Sequence, residues 1–342
     1  MAILINAYCT HRNPPSLDFA HTLMGRRDRT DPELPKHLSG FTGYVLSKGG
    51  SEMTTTLYHV MRHVQRVQHH LSLEINEGAL DSFARWAWEA NAICFLPDGT
   101  VRDPAGRVLV YPTGAEPDDG AEVPYPRKAH ERKARSDSHL KNLGILVPAH
   151  LPPVISEPEL DLRPAAEVAM RAIALFTVAL RAESLANEDG IPVAELRDRL
   201  PLAFESLSPK ENEFLNTESP EQQELVNFGW RYEALYTLLW ALGVADALPL
   251  PTEICDVSWV ASAIVDRDHD QFVKSASLRP ASELLDALDL PYRFHWAARQ
   301  AQNDNKEPPG NLNAGVISER HYALNWLTRF EDADWDNVDT PT

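Results

Sequence analysis

Cysteine is scarce in this chain: Cys9, Cys94 and Cys255 are the only three among 342 residues, odd in number and far apart. That pattern excludes a disulfide framework or a zinc ribbon and fits a reducing compartment. Long apolar runs are lacking as well. In the most apolar helix candidate the uncharged stretch runs only from Ala234 to Ala245, short of the ~20 residues a bilayer span needs. The opening segment Met1 to Tyr8 carries no basic leader and is too short for a signal-peptide core, so it reads as a first strand. A soluble, cytoplasmic protein is expected. Positive charge is in deficit, with 32 Lys and Arg against 50 Asp and Glu for a net charge of −18. Such a field repels duplex nucleic acid and anionic membranes and favours a basic protein partner.

Signatures of catalysis are missing too. Gly40, Gly43, Gly49 and Gly50 form neither a P-loop nor a dinucleotide fingerprint, although Gly49-Gly50-Ser51 ahead of a helix has the composition to receive a phosphate. No serine lies in a G-x-S-x-G elbow, and no cysteine has the sequence context of a nucleophile. No cofactor is expected, and the reading leans away from an enzyme.

What is present is mostly helix. Ser219 to Gly243 carries its own boundaries: Ser219 as N-cap, Pro220 at the first helical position, Gln222 closing a capping box, and Gly243 as the stop. Its second half is apolar on every side, which predicts a buried central helix. Helices are also predicted at Pro164 to Ser184, Pro192 to Leu200, after the capping box Ser208-Pro209-Lys210-Glu211, and at Val257 to Val265, Pro280 to Leu288, Pro291 to Gln302 and Ile317 to Phe330. The acidic tail after Glu331 reads as frayed.

The first third differs. Ile3 to Tyr8, Gly40 to Leu46 and Leu71 to Ile75 read as strands, Met53 to Gln68 and Ala79 to Ala90 as helices, and Ala92 to Phe95, Thr100 to Arg102 and Arg107 to Tyr111 as a meander. The expected fold class is therefore α+β: a small N-terminal α+β domain over residues 1–111, a Pro/Gly/acid-rich linker over 112–127, and a larger, mostly α-helical domain over 128–342.

Several phrases of the second half resemble the bacterial family named domain of unknown function 4272. They are Arg135-Ser136 with Leu140 and Gly144, Trp230 to Leu235 leading to Trp240 to Gly243, Ser282 to Asp286, Tyr292 to Trp296, Glu319 to His321 with Ala323 to Trp326, and Asp334 to Asp336. The resemblance covers roughly residues 130–340. It implies a helical domain and no established activity.

Charged groups embedded in apolar helices are the candidate site. Trp230, Arg231 and Glu233 share the central helix, and Arg171 or Arg181 on the other strongly apolar helix is a candidate partner for Glu233, since a lone buried ion costs several kcal/mol. Arg293, His295 and Arg299 on one helix and Glu319, Arg320 and His321 on the next make a second cluster, suited to structural pairing, an anionic ligand or proton transfer. Metal signals are weaker. His59 and His63 are four apart, with His69 and His70 beyond, but Val60 stands where a metalloprotease has glutamate, so a solvated helical face that also bears Arg62 and Arg66 is expected. Asp266, Asp268 and Asp270 begin like a calcium loop, yet Gln271 replaces its glycine and Ser277 its closing glutamate, so an acidic turn is expected. The basic run Arg127, Lys128, Arg132, Lys133 and Arg135 reads as a solvated helix start. Two functions follow: a non-enzymatic interaction or regulatory protein, of the immunity kind, with an acidic surface for a basic partner; or an enzyme or small-molecule binder with a polar pocket among the C-terminal helices.

Overall fold

The computed structural model describes residues 2–49 and 52–342, so Gly50 and Ser51 of the glycine stretch lie outside the described residues. The chain divides into two units, the first running to Glu131 and including His150–Leu160, the second made of Arg132–Ala149 and Asp161–Thr342.

The first unit is built on an antiparallel sheet of β1 (Ala2–Cys9), β2 (His21–Asp28), β3 (His69–Asn76), β4 (Ala92–Phe95), β5 (Val101–Arg102) and β6 (Val108–Val110), in the order β2-β3-β1-β4-β5-β6. Its helices are α1 (Glu33–Lys48), α2 (Thr55–Gln65) and α3 (Leu80–Glu89). Because side chains alternate across a strand, the register Ala7↔Leu71 and Tyr8↔His70 sorts residues onto two faces. Ile5, Ala7, Cys9, Leu71, Leu73 and Ile75 form a core with Phe83 and Trp86 of α3. Tyr8 and Ile93 face the other way, into a core with Phe41 and Val45 of α1 and Val60 and Val64 of α2.

Three expectations for this unit change. Gly40 to Leu46 is not a strand but the second half of α1, whose buried residues Leu34, Phe41 and Val45 follow the helical period. The strand β2 went unrecognised because it lies at the sheet edge with Leu23 and Met24 exposed, leaving no apolar alternation to read. Residues 112–127, expected to build no core, contribute buried Val123 and Tyr125, and Asp118 accepts hydrogen bonds from the Val108 amide and the Tyr111 hydroxyl.

The helix α4 (Arg127–Asn142) opens the passage to the second unit, which contains α5 (Ala165–Ala186), α6 (Val193–Arg199), α7 (Pro209–Asn216), α8 (Gln222–Gly229), α9 (Arg231–Ala241), α10 (Val257–Val265), α11 (His269–Lys274), α12 (Ala281–Asn303) and α13 (Ala314–Leu327). No helix among the described residues is long and apolar enough to cross a membrane. The predicted central helix is present as α8 and α9, joined at Trp230, whose backbone keeps right-handed angles. Its start differs from expectation: Glu221, not Ser219, is the N-cap, and the box closes with Glu224 rather than Gln222. Its end is as read, with Gly243 at φ +73°, a conformation glycine adopts without a Cβ penalty. The second half is the interior pillar: Ala234, Leu235, Leu238, Leu239 and Ala241 are fully buried, and α9 packs on α5 and α13.

Pro291 does not divide two helices but sits inside α12, buried. An interior proline costs about 3 kcal/mol, so the burial of Leu284, Leu285, Leu288, Phe294 and Ala298 along that helix outweighs the break. The acidic tail is docked rather than frayed. Trp335 is buried, Tyr322 donates its hydroxyl proton to the Trp335 carbonyl, and Asp336 accepts from Ser208 and the Lys210 amide.

Candidate functional site

Within the second unit the charges carried on apolar helices meet one another. Arg231 of α9 donates from Nη1 to both carboxylate oxygens of Glu319 on α13, at 3.1 and 2.9 Å. Glu233, two residues on and 2% exposed, turns to the opposite side, accepting from the Cys255 amide while the Arg320 guanidinium stands 3.9 Å away. Arg320 donates to the Pro249 carbonyl at 2.5 Å. The expectation that Arg171 or Arg181 pairs with Glu233 is corrected. Arg171 pairs with Glu211, which also closes the capping box at Ser208, and Arg181 donates to the Ile191 carbonyl at 2.5 Å. Aromatic faces complete the cluster, with the Trp335 ring 5.0 Å from the Arg171 guanidinium and the Tyr322 ring 5.0 Å from that of Arg231. Trp230 packs against Gly315, where a Cβ would come within 2.5 Å of the ring.

Burial and pairing pull on these ionisations in opposite directions. Burial raises the Glu319 carboxyl above its usual range, and the Arg231 charge only partly restores it. Arg320 is lowered by burial, with Glu233 opposing. Burial also drives Cys255 well above the usual thiol range, so it is no thiolate nucleophile. We expect Glu233→Gln to destabilise the second unit by about 1–3 kcal/mol, the usual worth of a hydrogen bond to a charged group. Urea unfolding followed by tryptophan fluorescence checks this, and an unchanged midpoint would show that Glu233 does not fix the helices.

The second predicted cluster does not hold together: Glu319 and Arg320 join the α9 charges, and the remaining residues part from one another. His295 and His321 face each other with Nδ1 to Nδ1 at 3.0 Å, so one ring nitrogen donates and the other accepts. Burial, helped by the charge of Arg299, lowers His295 to about 4. Arg299 itself is exposed. Arg293 is fully buried and belongs elsewhere, bound by two hydrogen bonds of 2.8 Å to Asp289, with Asp137 at 3.4 Å.

The weak metal candidates are not brought together. His63 is fully buried with Nε2 bonded to the Tyr8 carbonyl, which corrects its placement on a solvated face, while His59 bonds the His150 carbonyl. Among the described residues no group of three or more His, Cys, Asp or Glu side chains is arranged to hold a metal. Asp268 caps α11 by accepting from the Gln271 amide, the acidic turn expected. The basic run is not an open patch: Arg132 is buried against Asp286, Arg135 reaches the same carboxylate, and Lys133 pairs with Asp137.

One polar group escaped the sequence reading. On the α1-facing side of the first unit's sheet, Arg27 donates to His70 Nδ1 at 3.1 Å, His70 Nε2 meets Asn6 Oδ1 at 3.0 Å, and the Tyr8 hydroxyl meets His37 Nε2 at 3.1 Å. A guanidinium only donates, so His70 Nδ1 is unprotonated and the ring neutral. Burial, with the neighbouring His37 and Arg27, lowers His70 to about 3. A signal existed: two adjacent histidines on a strand must point to opposite faces.

Taken together, each predicted C-terminal side chain except exposed Arg299 is bonded or packed inside its own unit, an arrangement that holds helices in register. Comparison with curated proteins and with solved structures finds no match. A family model described as Domain of unknown function (DUF4272) matches residues 132–338, spanning the helices that carry the buried ion pairs. The chain belongs to the DUF4272 family.

Proposed function

We propose that this is a cytoplasmic, non-enzymatic interaction protein whose helical unit receives a basic partner, acting as a regulatory or immunity-like factor. The observation that carries the reading is an apolar surface left open on and beside α10 within an acidic unit. Ile254 is 61% exposed, Val265 58% and Trp259 39%, and the exposed carboxylates of Asp246, Glu253, Asp266 and Asp270 flank them. Of the 50 acidic residues 32 fall in the second unit, against 19 of the 32 Lys and Arg, a net of −13. An exposed tryptophan in a stretch whose exposed carboxylates outnumber its one exposed guanidinium, that of Arg267, suits a partner segment with an apolar anchor between basic side chains. The alternative of a small-molecule pocket among the C-terminal helices has less support, because Arg171 and Glu211, Arg231 and Glu319, and Glu233 and Arg320 direct their charges at one another.

The test is affinity capture from the native host at ~0.1 M salt, with the wild type and with Trp259→Ala/Glu253→Lys side by side. One dominant basic protein is expected on the wild type. Its affinity should fall by about 30-fold or more for the variant, a hot-spot loss of ~2 kcal/mol, and weaken as salt rises. Recovery of no partner, or equal recovery by both proteins, would sink the reading.

A further inference from the structure

The segment that follows α13 turns back along the helix it has just left and is held in the second unit like a bound peptide. Trp335 is 5% exposed. Its ring lies 5.0 Å from the guanidinium of Arg171 and 5.8 Å from that of Arg231, and it meets the rings of Tyr322 and Trp326 edge to face at 5.0 and 5.3 Å. Next to it Asp336 closes on the start of α7, one carboxylate oxygen accepting from the Ser208 hydroxyl at 2.6 Å and the other from the Lys210 amide at 2.9 Å. A carboxylate placed there meets a free helix amide and the positive end of the helix dipole. Backbone groups mark the ends of the docked stretch: the Ala333 carbonyl accepts from Arg163 at 2.7 Å and the Asp339 carbonyl from Asn325 at 2.8 Å. All of these contacts lie inside the second unit.

The turn that brings this segment back is costly. Arg329, Glu331 and Asp332 all have left-handed backbones, at φ +51°, +55° and +53°, and only Asp332 is of a residue type that adopts this conformation with any ease. Left-handed residues other than glycine carry strain that the surrounding contacts must hold in place. Three within four positions make a hinge that is loaded while the segment docks on its own unit and relaxed when the hinge extends. The side chains of Glu331 and Asp332 are exposed, so extension uncovers no core there. The turn's own bonds, from the Asp332 and Ala333 amides to the Arg329 and Phe330 carbonyls, are exchanged for bonds to water.

We propose that this segment is exchanged between two copies of the chain. Residues 333–340 of each copy dock in the groove of the other, with Trp335 against the two guanidiniums and Asp336 on α7, and both hinges run extended. The groove itself sets the occupant, because it already fits this segment at the ring, the carboxylate and two backbone carbonyls. Exchange keeps each of those contacts and releases the hinge, so it is opposed chiefly by the entropy of association and gains as concentration rises. A short tether holds the docked segment at an effective concentration of ~1 mM, and strain in the hinge moves the balance below that. The exchange involves none of the residues of the α10 surface proposed above.

Sedimentation equilibrium on the full chain from ~10 µM to ~1 mM, the range set by that effective concentration, tests this with two hinge variants. Glu331→Pro bars the left-handed turn, since proline fixes φ near −65°, and should tighten the dimer about ten-fold or more relative to the wild type. Glu331→Gly/Asp332→Gly relieves the strain of the closed turn and should weaken the dimer by about as much. Trp335→Ala should remove the dimer in both the wild-type and Glu331→Pro backgrounds. An association through an exposed surface would not respond in opposite directions to the two hinge changes. The proposal is overturned if the wild type shows no dimer at the highest concentration, if Glu331→Pro stays monomeric, if the glycine variant dimerises as tightly as the wild type, or if Trp335→Ala leaves the dimer intact.

Discussion

Replacing Asp289 by alanine is expected to destabilise the helical unit by about 3–5 kcal/mol, the cost of leaving a buried charge without its counter-charge. Arg293 and Asp289 are both fully buried on α12, one turn apart, joined by two parallel hydrogen bonds of 2.8 Å. Asp137, at 3.4 Å from Arg293 and partly exposed to water that screens it, is a weaker counter-charge than the buried Asp289. For a unit of this size the loss corresponds to a fall in Tm on the order of 10 °C. The pair's net worth is a different quantity. Removing both charges with apolar residues of similar volume, as in Asp289→Leu/Arg293→Met, should recover most of the stability, because the desolvation of two ions disappears with their attraction. Glu195→Ala, which breaks the exposed pair with Arg199, should cost well under 1 kcal/mol. A cycle in which Asp289→Ala costs no more than Glu195→Ala would show that the geometry of the buried pair is not what holds α12 in place.

How much of this could be read from the chain follows from the distances over which each feature is decided. The interior pillar was legible because its signals are local. Gly243 stops the helix, Ser208 and Glu211 box the start of α7, and the run from Ala234 to Ala245 is apolar on all sides. That buried charges on apolar helices need partners was also legible, from desolvation cost alone. Which partners they take was not. Arg231 meets Glu319 eighty-eight positions later and Arg171 meets Glu211 forty later, and those choices depend on how α5, α9 and α13 cross, which no local pattern encodes. The same limit explains Gly40 to Leu46. Within that window the aromatic and β-branched residues suit a strand, and only inclusion of Leu34 reveals the helical spacing that buries Phe41 and Val45.

Acid should weaken both units well above the range in which carboxylates titrate, and buried histidines are the cause. Burial, chiefly, lowers His63 to about 3, His70 to about 3 and His295 to about 4, against an ordinary value near 6.5. A base whose pKa is depressed on folding binds fewer protons folded than unfolded between the two values. Its contribution is therefore fully present above pH ~6.5 and is lost as pH falls toward ~4 for His295 and ~3 for the other two. Each histidine contributes at most about 1.4 kcal/mol per pH unit in that window. Discounted for incomplete burial, the first unit, which holds His63 and His70, should lose about 2–3 kcal/mol between pH 6.5 and 5. In the second unit Glu319 works the other way. Its carboxyl is raised by burial, so the folded state binds that proton more readily and gains relative stability as pH falls, offsetting part of the His295 loss. The first unit is thus expected to be the more acid-sensitive. Urea midpoints at pH 7.5, 6.5, 5.5 and 5.0, with amide hydrogen exchange reporting the two units separately, measure the slopes. His63→Gln should lower stability at pH 7.5 by removing a buried ring, yet flatten the first unit's dependence on pH. If the first unit kept the same midpoint from pH 7.5 to 5.0, His63 and His70 would have to be solvated in solution, and the packing of Tyr8 against α1 and α2 would be wrong with them.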